Sequence, residues 1–411
     1  MLAFAAVSCA GVAEAQTFTG RAEVKGFGYS SRAVESDPWV VGWHTLWLQE
    51  EGAIGASGGL RWLAAVRLEA ISSAERGPLV LDPADRDFRR TPASARELWL
   101  RWKPVAGLDV EAGRFQLGWG KTDGYSPADA FLPRDGSDPW SGERLPIWGV
   151  RLRAQEGSLR LEGVASAVLT PWRVPVLSGR SAPIEPGNLG LPVSLVDGEA
   201  SPPGWGFLAL RLQATAGEWD LGAWGRTGVR PAPILVFRTD QARPAPDGTV
   251  TVPVDRRWAR EEAAGLEVSK VAGSFVLRGE IGALFSPDPL VGDALLWTLG
   301  AERAFGDGTL LVTLAANARG TPVDSRLLSD RAAIPALFVV WNRSERWGSW
   351  KAVWASGLRH QDGLLQAEGA YDLAHGVTIA AGLDVPYGSR NGPFGARPDT
   401  RRAWASARYA W

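Results

Sequence analysis

Apolar residues return at every second position, in stretches of about ten residues, along almost the whole chain. Leu98, Leu100 and Trp102 alternate with Glu97, Arg101 and Lys103, and Trp148, Val150 and Leu152 with Arg151 and Arg153. Leu208, Leu210 and Leu212 alternate with Arg211 and Gln213, and Phe275, Leu277 and Ile281 with Arg278 and Glu280. Period two belongs to a β-strand, whose side chains point alternately to opposite faces. Here one face is apolar and the other carries full charges, strand after strand. Inside a soluble sandwich such a face would bury unpaired charge at high cost. In a closed barrel that spans a membrane, the charges line a wet lumen and the apolar face meets lipid. The expected fold is therefore all-β, a transmembrane antiparallel up-and-down β-barrel.

Segments of this kind fall at 17–29, 40–50, 58–71, 95–103, 107–119, 146–155, 157–169, 204–215 and 217–228, and then at 258–270, 273–285, 293–303, 309–319, 334–343, 350–359, 363–373, 376–385 and 401–411. That is about eighteen strands, within a range of roughly 16–18. The connections give a separate check. Odd-numbered links include the long segments 72–94, 120–145, 170–203, 229–257 and 386–400, whereas even-numbered links are tight turns such as Glu156-Gly157, Ala216-Gly217 and Ala272-Gly273. Short turns at one end and long loops at the other are the habit of outer-membrane barrels.

Composition agrees. The 411 residues include 21 Trp and 49 Gly but one Met, and tryptophan collects at membrane interfaces. Residues 2–13 form a short apolar run before Ala13-Glu14-Ala15, which reads as the end of a signal peptide (1–15), truncated at its start because no Lys or Arg precedes the run. Residues 16–411 are then a single barrel domain. Cleavage would remove Cys9, the one cysteine; a lipidated Cys9 is the rival reading, with Ala6-Val7-Ser8 a poor match for a lipid-attachment signal. The full chain has 44 Lys and Arg against 45 Asp and Glu. Removing Glu14 leaves 44 of each sign, so no strong field points to nucleic acid.

The last residues, Arg402-Ala403-Trp404-Ala405-Ser406-Ala407-Arg408-Tyr409-Ala410-Trp411, alternate in the same way. They resemble the closing strand of Gram-negative outer-membrane barrels, whose terminal aromatic is read by the barrel-assembly machinery. The resemblance implies an integral outer-membrane protein, with Tyr409 and Trp411 as its assembly signal. A second resemblance lies in Gly113-Arg114-Phe115-Gln116-Leu117-Gly118-Trp119-Gly120 and the Pro127-Ala128-Asp129 that follows. It is similar to the Gly-Arg-x-x-x-x-Trp-Gly … Pro-x-Asp pattern of alginate-export-like barrels, and it implies a third external loop that enters and narrows the lumen. An ordinary solvated loop over the barrel mouth is the alternative. Apolar positions change parity at Gly113, from Leu108, Val110 and Ala112 to Phe115, Leu117 and Trp119, which reads as a β-bulge with the second set still facing outward.

The pore-lining and constriction candidates are Arg114, Lys121, Asp123, Asp129, Arg134, Asp135, Arg151 and Arg153. Asp138, Glu143 and Arg144 add mixed charge to the same loop. Parity points Trp99, Trp224 and Trp404 inward, either to stack on sugar rings or to pack against loops, and Trp62, Trp102, Trp148, Trp219 and Trp411 outward as an interface girdle. Catalysis has no foothold: His44, His360 and His375 are scattered, and neither a nucleophile elbow nor a phosphate loop occurs. Asp82, Asp85 and Asp87 lack a complete calcium-loop pattern and read as a solvated acidic loop. No cofactor or metal is expected. The preferred function is export or passage of a hydrophilic polymer, a polysaccharide, with periplasmic export components and the outer-membrane lipid as partners. The alternatives are a general diffusion porin for small solutes and a non-transporting surface scaffold for adhesion or motility machinery.

Overall fold

The computed structural model describes residues 13–411 except 33–36, 55–58, 74–75, 78–81, 123, 183–192, 320–334 and 391. The expected signal segment, with Cys9, lies outside the described residues up to position 12, and Ala13 already pairs with Ile54.

Eighteen strands form one antiparallel sheet. In the first half these are β1 (Ala13–Tyr29), β2 (Val40–Ile54), β3 (Leu60–Ile71), β4 (Ala93–Val105), β5 (Leu108–Phe115), β6 (Ile147–Glu156) and β7 (Leu159–Val168). A small strand β8 (Val193–Ala200) stands apart, followed by barrel strands β9 (Phe207–Ala216) and β10 (Trp219–Val229). Three more short strands lie outside the barrel: β11 (Ile234–Phe237), β12 (Arg243–Pro244) and β13 (Val250–Arg257). The barrel resumes with β14 (Arg260–Ala272), β15 (Phe275–Phe285), β16 (Ala294–Phe305), β17 (Gly308–Arg319) and β18 (Ala336–Glu345). It ends with β19 (Gly348–Gly357), β20 (Asp362–Asp372), β21 (Val377–Gly388) and β22 (Arg402–Ala410).

Each barrel strand pairs with its neighbours in chain order, and β22 returns to β1, from Arg21 opposite Ala410 to Tyr29 opposite Arg402. The sheet is closed, so no edge strand is left with unpaired backbone groups. Every strand expected from the alternation is present. The tight turns after β6, β9 and β14 are two residues long, and Gly157, Gly217 and Gly273 open them with φ of 56°, 61° and 61°. Only the left-handed region gives a hairpin turn the twist of its flanking strands, which is why glycine stands there.

Burial follows parity. On β4, Leu98, Leu100 and Trp102 are exposed on the outer face while Trp99 and Arg101 between them are half-buried. Ser94 and Arg96, of the same parity as the leucines, are buried because the register shifts opposite Ala65 and Val66. Leu208, Leu210 and Leu212 of β9 repeat this, with Arg211 inside.

Two expectations change at Gly113. The ladder there has no inserted residue, since Trp99 pairs with Gly113 and Leu98 with Arg114 in unbroken register. Instead Gly113 takes a φ of 129°, and a Cβ on it would lie 2.9 Å from the Trp99 Cα. The strand stops at Phe115 rather than near 119. Phe115, Leu117 and Trp119 do not face outward; they turn into the barrel and are buried there. Parity alone fixed that the three share a face, and the kink then chose which side that face meets.

Sequence alternation also passed over the small sheet β11–β13–β12, against which β8 lies parallel through Val193–Val250 and the pairs that follow. It belongs to the long loops that follow β7 and β10, and has its own apolar cluster of Val174, Leu177, Leu195, Leu235, Val252 and Val254.

Candidate functional site

Loop 3, residues 116–146, enters the lumen and crosses it. Its first stretch packs Leu117, Trp119, Phe131 and Leu132 against the inward side chains Phe207 of β9 and Trp224 of β10. Phe131 is the hub: its ring centre lies 5.5 Å from Trp119, 5.5 Å from Phe207 and 6.0 Å from Trp224. A short 3-10 turn over Pro127–Asp129 places the Asp129 carboxylate back under the loop. There it accepts the backbone N–H groups of Trp119 at 2.7 Å and Gly120 at 2.9 Å, and pairs with Arg144.

A single wall carboxylate holds the crossing. Glu280 of β15 accepts the N–H of Lys121 at 2.7 Å, of Thr122 at 2.8 Å and of Ala128 at 3.2 Å. It also accepts the hydroxyls of Thr122 at 2.9 Å and Ser126 at 2.5 Å. Beyond it the loop reaches the opposite wall, where Gln366 donates to the Trp140 carbonyl at 3.3 Å and Arg402 pairs with Asp138 at 3.0 Å.

The returning limb meets a bank of buried arginines. Glu143 pairs with Arg67 at 2.7 Å, with Arg96, and with Arg90 at 3.5 Å. Arg90 also reaches Glu69 at 3.0 Å and Asp135 at 3.1 Å. Asp135 pairs with Arg173 at 2.5 Å, Arg173 with Asp85, and Asp85 with Arg114 at 2.8 Å. The chain of ion pairs ties loop 2 (72–92), loop 3 and loop 4 (169–206) to strands β3, β4 and β5.

Burial pushes the Glu143 carboxyl up, but Arg67, Arg96 and Arg90 outweigh it and hold the group at about 2 instead of its usual 4.5. A carboxyl lowered in the folded state stabilises the fold fully above its unfolded value and loses that contribution as pH falls through the folded one. Loop 3 should therefore keep its docking from pH 7 to 5 and loosen between about 4.5 and 2. Protease susceptibility of segment 121–145 against pH checks this, and loosening that starts above pH 6 contradicts it.

The sequence candidates separate into three places. Arg114, Asp129 and Asp135 are fully buried ties within the loop framework and face no open passage, because burial of each charge is matched by an opposite partner. Lys121 lies beside Glu267 at 3.9 Å, the Arg134 backbone forms an isolated antiparallel β-bridge with that of Arg144, and Asp123 lies outside the described residues. Arg151 and Arg153 gather with Arg101 on Glu111, at 2.7, 3.2 and 2.6 Å, near the short-turn end. Trp224 is buried under Phe131, Trp99 donates to Glu97 at 3.0 Å, and Trp404 lies under Lys25. Tyr409 and Trp411 stack on each other at 5.6 Å on the outer face. The second-loop acids are not a solvated cluster: Asp85 is buried on Arg114 and Arg173, and Asp82 accepts the N–H groups of Arg86 and Asp87. No group of three or more possible metal ligands occurs among the described residues.

Among the described residues, two cavities lie inside the barrel along the wall of β22, β1, β2 and β3. Near the long loops a cavity of about 60 Å³ is bounded by Tyr29, Arg180, Thr400 and Pro139. Below it a second, of about 220 Å³, is bounded by Arg21, Glu23, Lys25, Trp47 and Glu143. Phe27, Trp43 and Asp138 line both, and so form the neck between them. Phe27 and Trp43 stand 6.1 Å apart, and Arg402 lies 4.4 Å from the centre of the Phe27 ring.

The chain matches no protein-family model and no curated protein. Among solved structures it is similar to engineered variants of the Rhodopseudomonas blastica porin. A triple mutant shows 10% identity and a TM-score of 0.45, over 97% of this chain and all of that one. A second structure, titled for asymmetric conductivity of engineered proteins, shows 9% identity and a TM-score of 0.46 over the same shares. The eighteen-strand closure stands on the pairing of this chain's own strands.

Sequence reasoning passed over the neck and its surroundings. Arg21, Lys25 and Phe27 sit at odd positions of one strand, opposite the exposed Phe18 and Val24, so the alternation already held that signal. Glu280 was legible as an inward charge on β15, but its partners lie more than 150 positions earlier in the chain.

Proposed function

We propose that this protein is an outer-membrane channel for small hydrophilic solutes, with passage confined to the slot between loop 3 and the β22–β1–β2–β3 wall. The observation that carries this reading is the pair of cavities in line along that wall, joined at Phe27, Trp43 and Asp138. The membrane location rests on the outer face, where Leu100, Leu208, Leu266 and Leu299 are each more than half exposed on separate strands. Apolar area of that extent in water marks a contact surface, and a closed barrel offers it to lipid.

Polysaccharide passage is supported less well. A polymer needs a continuous bore, and the Phe131 core with its Glu280 anchor lies across the lumen. The surface-scaffold reading draws on the same filled interior, together with the external sheet of β8 and β11–β13. Conductance decides between channel and scaffold. Protein purified in detergent and added to a planar bilayer should give discrete, ohmic, small current steps, and Phe27→Ala should enlarge them by widening the neck. A heat-modifiable barrel that inserts but never conducts would leave the scaffold.

A further inference from the structure

The inner cavity has two unlike walls. On the side of β3 and loop 3 the cations are neutralised: Arg67 by Glu69 and Glu143, Arg90 by Glu69 and Asp135. On the β1 side they are not. The Lys25 ammonium lies 3.8 Å from the centre of the Trp404 ring and 5.0 Å from that of Phe27, and makes no ion pair among the described residues. The Arg21 guanidinium sits 5.4 Å from the Trp47 ring centre, again without an acid, and its Nε is buried with no hydrogen-bond acceptor. A ring face attracts a cation through its quadrupole and leaves the net charge in place. These two positive charges are thus held in position and still available.

Their neighbours cancel them only in part. Glu23 stands between them on the same strand face, and opposite Glu23 in register is Arg408, which donates to the Thr378 hydroxyl at 3.3 Å. Four acids, Glu23, Glu69, Asp138 and Glu143, line the cavity beside four cations, but Arg67, Arg90 and Arg402 engage Glu69, Glu143 and Asp138, which leaves Arg21 and Lys25 facing Glu23. Across the strand pair, Arg21 is opposite Trp47 and Lys25 opposite Trp43. Each free cation therefore has an indole beside it at the cavity surface. At roughly 30 Å³ per water the cavity's 220 Å³ equals about seven waters, room for one small ring and its acid group.

We infer that the inner cavity binds a small carboxylate carried on a ring, with Arg21 and Lys25 taking the carboxylate and Trp43 and Trp47 the ring. This rests on the channel reading for its role as a selectivity step, but binding itself does not require current. The acid group is the shared chemistry, and the ring comes either from an aromatic acid or from a sugar acid.

The test uses benzoate, glucuronate and acetate as probes on the detergent-purified full chain, by titration calorimetry, with the same anions added to one side of a bilayer. Benzoate or glucuronate should bind at least tenfold tighter than acetate, and whichever does so names the source of the ring. An R21Q/K25Q double variant should lose at least tenfold of that affinity, while Lys25→Arg, which keeps the charge on the rings, retains it. Under a potassium chloride gradient the wild type should pass chloride in preference to potassium, and the double variant should lose that preference. Equal binding of all three probes, or affinity unchanged in a heat-modifiable double variant, overturns the site. Binding without any current supports the site and removes the channel; current without binding does the reverse.

Discussion

Replacing Glu280 by alanine is expected to raise single-channel conductance several-fold and to make the open level noisy. Five donors from loop 3 end on this one buried carboxylate, three backbone N–H groups and two hydroxyls, at 2.5 to 3.2 Å. A hydrogen bond to a charged acceptor contributes about 1.5–3 kcal/mol, and a buried donor left without a partner costs a further desolvation penalty of similar size. The five are not independent, but all of them are lost together when the carboxylate goes. Once released, its backbone donors seek water, and water in the lumen is conducting volume. Glu280→Gln separates charge from shape. The amide keeps one acceptor oxygen but presents an NH₂ group to other donors, so its conductance should fall between wild type and alanine. Conductance steps and protease resistance of 121–128 that stay unchanged in Glu280→Ala would refute the anchor.

The strands were legible because an apolar outer face and a charged inner face impose opposite demands on alternate residues. Leu208 to Gln213 can satisfy both only as a strand. Outside the barrel that constraint lapses. Val250–Arg257 has apolar residues at alternate positions too, but it contains Pro253 and lies inside a long loop, so nothing in the period marked it as a strand paired with β8, β11 and β12. Loop 3 was legible as an intruder through its Gly-Arg and Pro-x-Asp segments, but its side chains were not. Phe115, Leu117 and Trp119 look the same in sequence whether they meet lipid or the inner aromatic core. The charges divide in the same way. Asp129 and Asp135 were visible as acids of the loop, whereas their engagement by Arg144 and by Arg90 and Arg173 depends on three-dimensional approach. The slot shows what parity could still have supplied, since Arg21, Glu23, Lys25 and Phe27 follow the rule used for every other strand.

Arg173→Met should detach the loop canopy while leaving the barrel closed. Arg173 is 1% exposed and is the cation shared by Asp85 of loop 2 and Asp135 of loop 3. Methionine fills much of its volume but strands Asp85 with Arg114 alone and Asp135 with Arg90 alone. Breaking a buried ion pair from one side costs about 3–5 kcal/mol, because the remaining charge stays out of water with less to offset it. The barrel ladder does not pass through this cluster, so heat-dependent gel mobility should stay as in the wild type. Segments 72–92 and 169–182 should instead become cleavable by protease in intact cells, where the wild type resists. Removing the Asp135 charge as well should restore much of the resistance. In a D135N/R173M variant Asp85 keeps Arg114 and Arg90 keeps Glu69 and Glu143, so no buried charge is left alone, and the apolar packing of Val174, Leu177 and Leu195 still holds loop 4. Recovery in the double variant assigns the damage in Arg173→Met to unpaired charge. If both variants are equally open to protease, lost packing around the arginine stem is the cause, and the ion-pair chain contributes little to closing the canopy.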